Sequence, residues 1–281
     1  MEALDRILEG QVCIVTGGTQ GIGWAIVQTL AAHGAVVYAC GLSRRNLEQA
    51  EAERATLPAT ATIHLSQCDV TDRAAYTAWL EEIYRQTGRL DILVNNAAFV
   101  RWTDVEEMSI EEAERTMRVA YDALVYGIKT VLPYMRETGR GYIVNIGSIA
   151  GNIYVGGASA AYAAAKAAVD AYTQTLQVEL RDTAIHVILV RLGTVAGTDF
   201  FKEHVSYTRM PRLLDFLPYT TPPQVAQAIV RAIHRRREIV TLPRYLTLLR
   251  LLFVLAPRFS RWLASLGGHG RRHYAPREHK P

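Results

Sequence analysis

The chain has 281 residues, 49% of them hydrophobic and 21% charged, with three cysteines and a formal net charge of +4. A chain of this length and balance buries its own core, which excludes global disorder, a collagen-like repeat and a disulfide scaffold. No run of about 18 apolar residues exists, which argues against a multi-span membrane protein. The positive charge is uneven: residues 231–281 carry twelve Lys/Arg against two Glu, whereas the first 230 are net acidic. A nucleic-acid partner would want a basic face on the folded domain, so none is expected. The start, MEALDRILEG, has no apolar run of signal-peptide length. Cys13, Cys40 and Cys68 sit in strand-like surroundings and read as small buried thiols in a reducing compartment. The expected location is cytoplasmic, and no metal site is expected.

Strand and helix signals then alternate. Gln11–Thr16 (QVCIVT) is a short β-branched run, a buried-strand pattern. A glycine-rich turn leads into a helix over Ile22–His33, closed by Gly34. The next strand is Ala35–Cys40, then a helix over Arg45–Leu57 stopped by Pro58, and a strand over Ile63–Cys68. Ala74–Thr87 reads as a helix ended by Gly88, and Leu90–Asn95 as a fourth strand. Ile110–Glu137 reads as one long helical region, Tyr142–Ile146 as a strand, Ala158–Arg181 as an alanine-rich helix and Ile185–Arg191 as a strand. Strands separated by helix-length segments predict an α/β fold: a doubly wound parallel sheet of the Rossmann kind, in three α/β/α layers. Residues 194–221 are irregular. Thr221 then reads as the N-cap of a helix with Pro222 at its first position, running to about Arg236. The expected division is a dinucleotide-binding and catalytic domain over 1–240 and a basic C-terminal helical extension over 241–281.

The turn after the first strand reads Thr16-Gly17-Gly18-Thr19-Gln20-Gly21-Ile22-Gly23. Glycines let backbone N–H groups approach a pyrophosphate, and a helix N-terminus adds partial positive charge. Between a strand and a helix of a βαβ pattern, this turn predicts dinucleotide binding through Gly17, Thr19, Gln20, Gly21, Ile22 and Gly23. An NAD site wants an acid about 20 residues on, to accept from the ribose 2′-hydroxyl. No Asp or Glu lies between Gly10 and Leu47. The second strand ends instead at Gly41-Leu42-Ser43-Arg44-Arg45, where Ser43 and Arg44 are the candidates to hold a 2′-phosphate. The expected cofactor is NADP(H) over NAD(H). The alternative, that Arg44 and Arg45 are merely solvated first-turn residues, stays open.

Over about residues 8–237 the chain resembles the short-chain dehydrogenase/reductase family. TGGTQGIG matches the family's Thr-Gly-x-x-x-Gly-x-Gly loop, and Asp69-Val70 sits where the family contacts adenine. Asn95-Asn96-Ala97-Ala98 matches its Asn-Asn-Ala segment, Ser148 follows the fifth strand, and Tyr162 and Lys166 form Tyr-x-x-x-Lys. The resemblance adds Asn96 and Ala97, and Gly193 and Val195 after the sixth strand, to the cofactor site, with Tyr162 and Lys166 also touching it. Spacing of four puts Tyr162 and Lys166 on one helix face. A nearby ammonium would lower the tyrosine pKa, and Tyr162 would serve as general acid for ketone reduction or base for alcohol oxidation. The Ser148 hydroxyl would donate to the substrate oxygen.

Two positions depart from the pattern. The family's catalytic Asn, which helps hold a lysine-linked relay water, aligns with Ala120, and no Asn occurs between Ala97 and Val144. Tyr121 or Asp122 as a substitute, a differently built relay, or slow turnover are the alternatives. Leu192-Gly193 stands where the family reads Pro-Gly.

Phe200, Phe201, Tyr207, Leu213, Leu214, Phe216 and Tyr219 make residues 194–221 an aromatic, apolar substrate lid, which suits a hydrophobic ketone or alcohol. Ordinary packing against the domain is the alternative. In the tail, Leu246–Ala256 is strongly apolar but too short to span a bilayer. After Pro257, Arg258–Leu266 places Phe259, Trp262, Leu263 and Leu266 at helical spacing. Basic, aromatic, amphipathic segments suit an interfacial membrane anchor, and the tail resembles those of lipid-acting members such as 3-ketodihydrosphingosine reductases. Packing on the chain's own domain or on a partner subunit is the alternative. Residues 267–281 read as a flexible end. The resemblance also implies a homodimer or homotetramer. The expected function is NADP(H)-dependent interconversion of a ketone and a secondary alcohol on a hydrophobic, lipid-like substrate, in the reductive direction. A membrane-associated nucleotide-binding scaffold with vestigial activity is the second reading.

Overall fold

The structure, a computed structural model, describes residues 6–101, 103, 105–153, 159–197 and 218–266. Its strands are β1 (Val12–Thr16), β2 (Val36–Gly41), β3 (Thr62–Gln67), β4 (Ile92–Asn95), β5 (Gly141–Ser148), β6 (Ile185–Leu192) and β7 (Ile239–Leu242). They form one seven-stranded sheet in the order β3-β2-β1-β4-β5-β6-β7, and every pairing is parallel. The order reverses between β1 and β4, so a crevice opens at the C-terminal ends of these strands.

Parallel strands need crossover helices, and these cover both faces. They are α1 (Gly21–Ala32), α2 (Arg44–Arg54), α3 (Arg73–Thr87), α4 (Ile110–Met117), α5 (Ala123–Glu137), α6 (Ala160–Glu179) and α7 (Pro222–His234). Alternation along β1 shows the layering: Cys13 and Val15 pack on the side of α1 and α7, and Val12 and Ile14 on the side of α3, α5 and α6. Buried Val, Leu and Ile side chains contribute about 1.5–3 kcal/mol each, and fully buried Ile14, Ile26, Leu80, Leu93 and Ile143 are of this kind. The expected three-layer α/β/α fold is therefore the observed one.

Three elements differ from the sequence expectation. The long helix over Ile110–Glu137 is interrupted by a π-helical turn at Arg118–Asp122, the stretch that contains Ala120. Such turns occur as single bulges inside otherwise α-helical runs. Second, β7 continues the sheet beyond the helix expected to end near Arg236, with Leu189–Leu192 pairing to Ile239–Leu242. Third, the tail is helical but docked at its start. It forms α8 (Leu246–Leu255) and α9 (Pro257–Leu266), and Leu246 and Phe253 are buried. The Tyr245 hydroxyl donates to the Pro218 carbonyl at 3.3 Å.

Candidate active site

β1 ends at Thr16, whose side chain organises the crevice. The backbone N–H groups of Asn96 and Ala97 both donate to Thr16 Oγ1 at 3.1 Å. The Asn96 side-chain amide donates to the carbonyls of Thr16 (3.1 Å) and Gly17 (3.0 Å), bracing the loop from beside β4. Gly17 and Gly21 have φ of +61° and +53°, where a β-carbon is strained. A β-carbon on Gly17 would also come within 2.9 Å of Ala97 Cα. Helix α1 has no side-chain N-cap bond at Gln20 and no acid in its first turn. Its first amides are thus left for an anion.

A second framework holds the catalytic side. Asn95 donates to Asn145 at 2.8 Å and Asn145 to Thr173 at 3.0 Å, tying β4, β5 and α6 together inside the core. Asp170, on α6 one turn after Lys166, takes a bidentate ion pair from Arg191 on β6, at 2.6 and 3.0 Å, with both side chains buried. The helix that carries Tyr162 and Lys166 is thereby clamped to the strand that ends at Leu192.

These elements enclose a cleft of about 300 Å³. From the glycine loop it is lined by Gly17, Thr19, Gln20, Gly21, Ile22 and Gly23, and from the β2 end by Ser43. Asp69 and Val70 after β3, Asn96 and Ala97 after β4, and Gly193 and Val195 after β6 line its walls, and Ser148, Tyr162 and Lys166 close one end. Among the residues singled out from the sequence as site residues, Arg44 is not part of this lining. It is the first residue of α2, 82% exposed and ion-paired with Glu48 at 3.0 Å. The Ser43 hydroxyl caps α2, accepting from the Asn46 N–H at 3.3 Å. Sequence reasoning passed over Asn46, Phe99, Arg115 and Val119, which also line the cleft. The Asn46 amide donates to Gln20 at 2.6 Å, and the Arg115 guanidinium lies 4.4 Å from the centre of the Phe99 ring. No spacing motif marks these residues.

Ser148 is the last residue of β5; its hydroxyl donates to the Leu192 carbonyl at 3.3 Å and stands next to that of Tyr162. The Lys166 ammonium donates to the Ile146 carbonyl at 2.8 Å and lies 5.9 Å from the Tyr162 ring centre. Burial pushes Lys166 down from its ordinary value to about 8. Burial also raises the Tyr162 phenol, and the Ser148 contact only partly offsets this. The direction is opposite to the expected lowering, because burial of the phenol disfavours its charged form. Ala120 is buried in the π-helical turn, and Tyr121 packs edge-on against Tyr172 at 5.8 Å. From this turn, Val119 lines the cleft.

Gly193 connects the cleft to the tail. Its N–H donates to the Leu242 carbonyl at 2.7 Å, and Leu246 of α8 packs where its side chain would stand. The two ends of the expected lid are held together, with Ala196 N–H donating to Thr220 O at 2.9 Å and Thr220 N–H to Thr194 O at 3.1 Å. Of the seven lid residues named above, Tyr219 is described and 63% exposed. Phe200, Phe201, Tyr207, Leu213, Leu214 and Phe216 lie outside the described residues, as do residues 267–281.

The family model for short chain dehydrogenases matches residues 11–208. The chain belongs to that family. Among curated relatives, it is 33% identical over 225 residues to the 3-oxoacyl-(acyl-carrier-protein) reductase FabG of Thermotoga maritima, covering 79% of this chain and 90% of the relative. It is 31% identical over 277 residues to a fatty acyl-CoA reductase of Acinetobacter baylyi, covering 95% and 88%. It is 34% identical over 191 residues to the NADP-dependent 3-hydroxy acid dehydrogenase YdfG of Escherichia coli, covering 67% and 74%. The chain is accordingly a short-chain oxidoreductase that acts on CH–OH donors with a nicotinamide cofactor.

Proposed function

We propose that the chain is an NADP(H)-dependent reductase that converts a ketone on a hydrophobic, lipid-like substrate to a secondary alcohol. The observation that carries this reading is the convergence of the Ser148–Tyr162 hydroxyl pair and buried Lys166 on the same cleft as the glycine loop. The cleft fits a dinucleotide: α1 leaves its first amides without a side-chain cap, and the loop backbone is held where a β-carbon would not fit. Gly17, Thr19, Gln20, Gly21, Ile22 and Gly23 would hold the phosphates, and Asp69, Val70, Asn96, Ala97, Gly193 and Val195 the rest of the cofactor. When bound, the reduced nicotinamide supplies the hydride.

The residues of the chain supply the rest. Ser148 donates to the carbonyl oxygen as negative charge develops there. Tyr162 then gives that oxygen its phenolic proton. A phenol pushed up by burial is protonated at neutral pH, the form that reduction requires. Lys166, fixed by the Ile146 carbonyl, sits beneath it to favour the phenolate left behind. For the 2′-phosphate, Arg44 must leave Glu48. An exposed i,i+4 pair of this kind is worth only about 0.3–0.5 kcal/mol, less than one charge-assisted bond to a phosphate, about 1.5–3 kcal/mol. The absence of any acid at this strand end and the NADP dependence of one relative, the 3-hydroxy acid dehydrogenase YdfG, support the same choice.

A lipid-like substrate is supported by two relatives whose names specify acyl substrates and by the tail. No helix among the described residues is long and apolar enough to cross a membrane. Leu248, Leu251, Val254, Leu255, Phe259 and Trp262 are nonetheless at least half exposed on α8 and α9. Arg244 precedes them and Arg258 lies among them, both exposed. That combination suits peripheral contact of a cytoplasmic enzyme with an anionic lipid surface. The small-residue stretch Ala160–Ala168 of α6 allows a second copy to approach, as a homodimer or homotetramer requires. The test is NADPH-dependent reduction of a panel of medium- and long-chain ketones and 3-oxoacyl thioesters. The reading expects turnover that is lost in Tyr162→Phe while nucleotide binding is kept. Equal turnover by Tyr162→Phe would overturn it.

A further inference from the structure

Two of the three cysteines meet at the cofactor cleft. Cys40 is the fifth residue of β2 and pairs with Ser66 of β3. Cys68 lies two residues further on, on the same side, just past the strand end, and its N–H donates to the Gly41 carbonyl at 3.1 Å. Both line the cleft. Cys40 is buried and Cys68 half-buried, so one residue is shielded and its neighbour is partly exposed. Both side chains belong to the same apolar cluster, and their mutual interaction draws Cys68 down from the ordinary thiol value and, with burial, holds Cys40 above it. Cys13 sits apart on β1, fully buried, with its thiol also pushed up by burial. The pair therefore combines an accessible sulfur of thiolate character with a resolving thiol beside it, the arrangement that favours reversible oxidation.

Cys40 is also wired to the phosphate loop. Its sulfur accepts from the Gly17 N–H, and its carbonyl accepts from the Gly18 N–H at 2.9 Å. Cys68 is followed directly by Asp69 and Val70, a wall of the same cleft. The Asp69 carboxylate fixes the turn there by accepting from the Thr71 N–H (2.9 Å) and hydroxyl (2.7 Å). Drawing the two neighbouring sulfurs to a covalent separation of about 2 Å pulls on both segments at once.

We propose that Cys40 and Cys68 are a dithiol modification site: a peroxide joins them as a disulfide, and the joined pair weakens nucleotide binding at that end of the cleft. The consequence for binding rests on the nucleotide reading given above; the disulfide does not. In the first step the Cys68 thiolate attacks a peroxide oxygen, the O–O bond breaks, and a sulfenic acid and, after protonation, water result. The Cys40 sulfur then attacks the sulfenic sulfur, the S–O bond breaks, and a second water leaves with the Cys40 proton. Two thiols lose two electrons and two protons, and one hydrogen peroxide becomes two waters.

The experiment uses the full chain with Cys13→Ala, in which Cys40 and Cys68 are the remaining thiols. It is treated with hydrogen peroxide, then read by thiol titration, intact mass and NADPH fluorescence titration. The expected result is loss of both thiols, a mass lower by two hydrogens, and NADPH binding weaker by about tenfold, or about 1.4 kcal/mol, all reversed by dithiothreitol. Saturating NADPH should slow the oxidation, and Cys68→Ser in the same background should show no loss of two hydrogens. Thiols that persist, or oxygen adducts in place of the two-hydrogen loss, would overturn the proposal. So would a disulfide that leaves the NADPH affinity unchanged. If the reduced protein binds no nucleotide, the functional reading and the binding consequence fail together, and the mass result still decides the disulfide.

Discussion

Removing the Arg191 guanidinium should destabilise the protein more than removing the whole ion pair. Arg191 and Asp170 are each about 3% exposed as residues, with N···O distances of 2.6 and 3.0 Å. At an effective dielectric of 20, unit charges 4 Å apart attract by about 4 kcal/mol. Breaking a buried pair by removing one partner costs about 3–5 kcal/mol, since the survivor stays charged and desolvated. The Gln174 amide, 2.6 Å from Asp170 Oδ1, offsets part of this for the carboxylate, so Arg191→Met should cost about 3 kcal/mol. The double change Arg191→Met with Asp170→Leu removes both charges and should recover most of that loss. Urea denaturation of the two singles and the double, with NADPH binding as a check on the cleft, gives the coupling energy. Arg191→Met within about 1 kcal/mol of the parent, or a double variant worse than both singles, would refute the view that this pair is a desolvated clamp.

Further outcomes follow from the same geometry. The folded chain holds the Lys166 proton less tightly than the unfolded chain, about 8 against 10.5, so its burial cost is full below pH 8 and fades as pH rises toward 10.5. Lys166→Met should therefore abolish turnover yet raise stability at pH 7 by up to about 3 kcal/mol; denaturation at pH 7 and 10 would show the gain shrink, and a gain independent of pH would count against it. Arg44→Ala should weaken NADPH by about tenfold and leave NADH unchanged, read by fluorescence titration; equal loss for both nucleotides would argue against a phosphate contact. Leu251→Glu with Leu255→Glu should release the protein from anionic vesicles in a sedimentation assay without loss of NADPH binding, and unchanged sedimentation would leave α8 without a lipid role. Ala120→Asn should raise turnover if a relay water is the missing part, and an unchanged pH–rate profile would show that the relay is built elsewhere.

The parts of the fold that were legible in the sequence are those where burial and local chemistry agree. β1, β4 and β6 are continuous apolar runs because both faces of a parallel strand are covered. The Gly17–Gly23 turn was readable because positive φ at Gly17 and Gly21 admits few other residues. β7 escaped notice because Ile239–Leu242 is four residues long and only half-buried, with arginines just before it. The π-helical turn at Arg118–Asp122 leaves no periodic trace, since it is a single turn inside an otherwise α-helical run. Arg44 has the charge and the distance from β2 that the sequence pattern asks for, but in the structure it pairs with the local Glu48. The Tyr162 pKa went the other way because proximity of Lys166 is visible in spacing, whereas the burial of both groups is not.

The central claim is a nucleotide-dependent reductase built on the cleft between the glycine loop and Tyr162. Its most direct test is a fluorescence titration of the purified, reduced protein with NADPH and, separately, with NADH. The account predicts saturable binding of both, with NADPH tighter by at least about tenfold. Tighter NADH would contradict the reading of Ser43 and Arg44, and binding of neither would contradict the cofactor site as a whole.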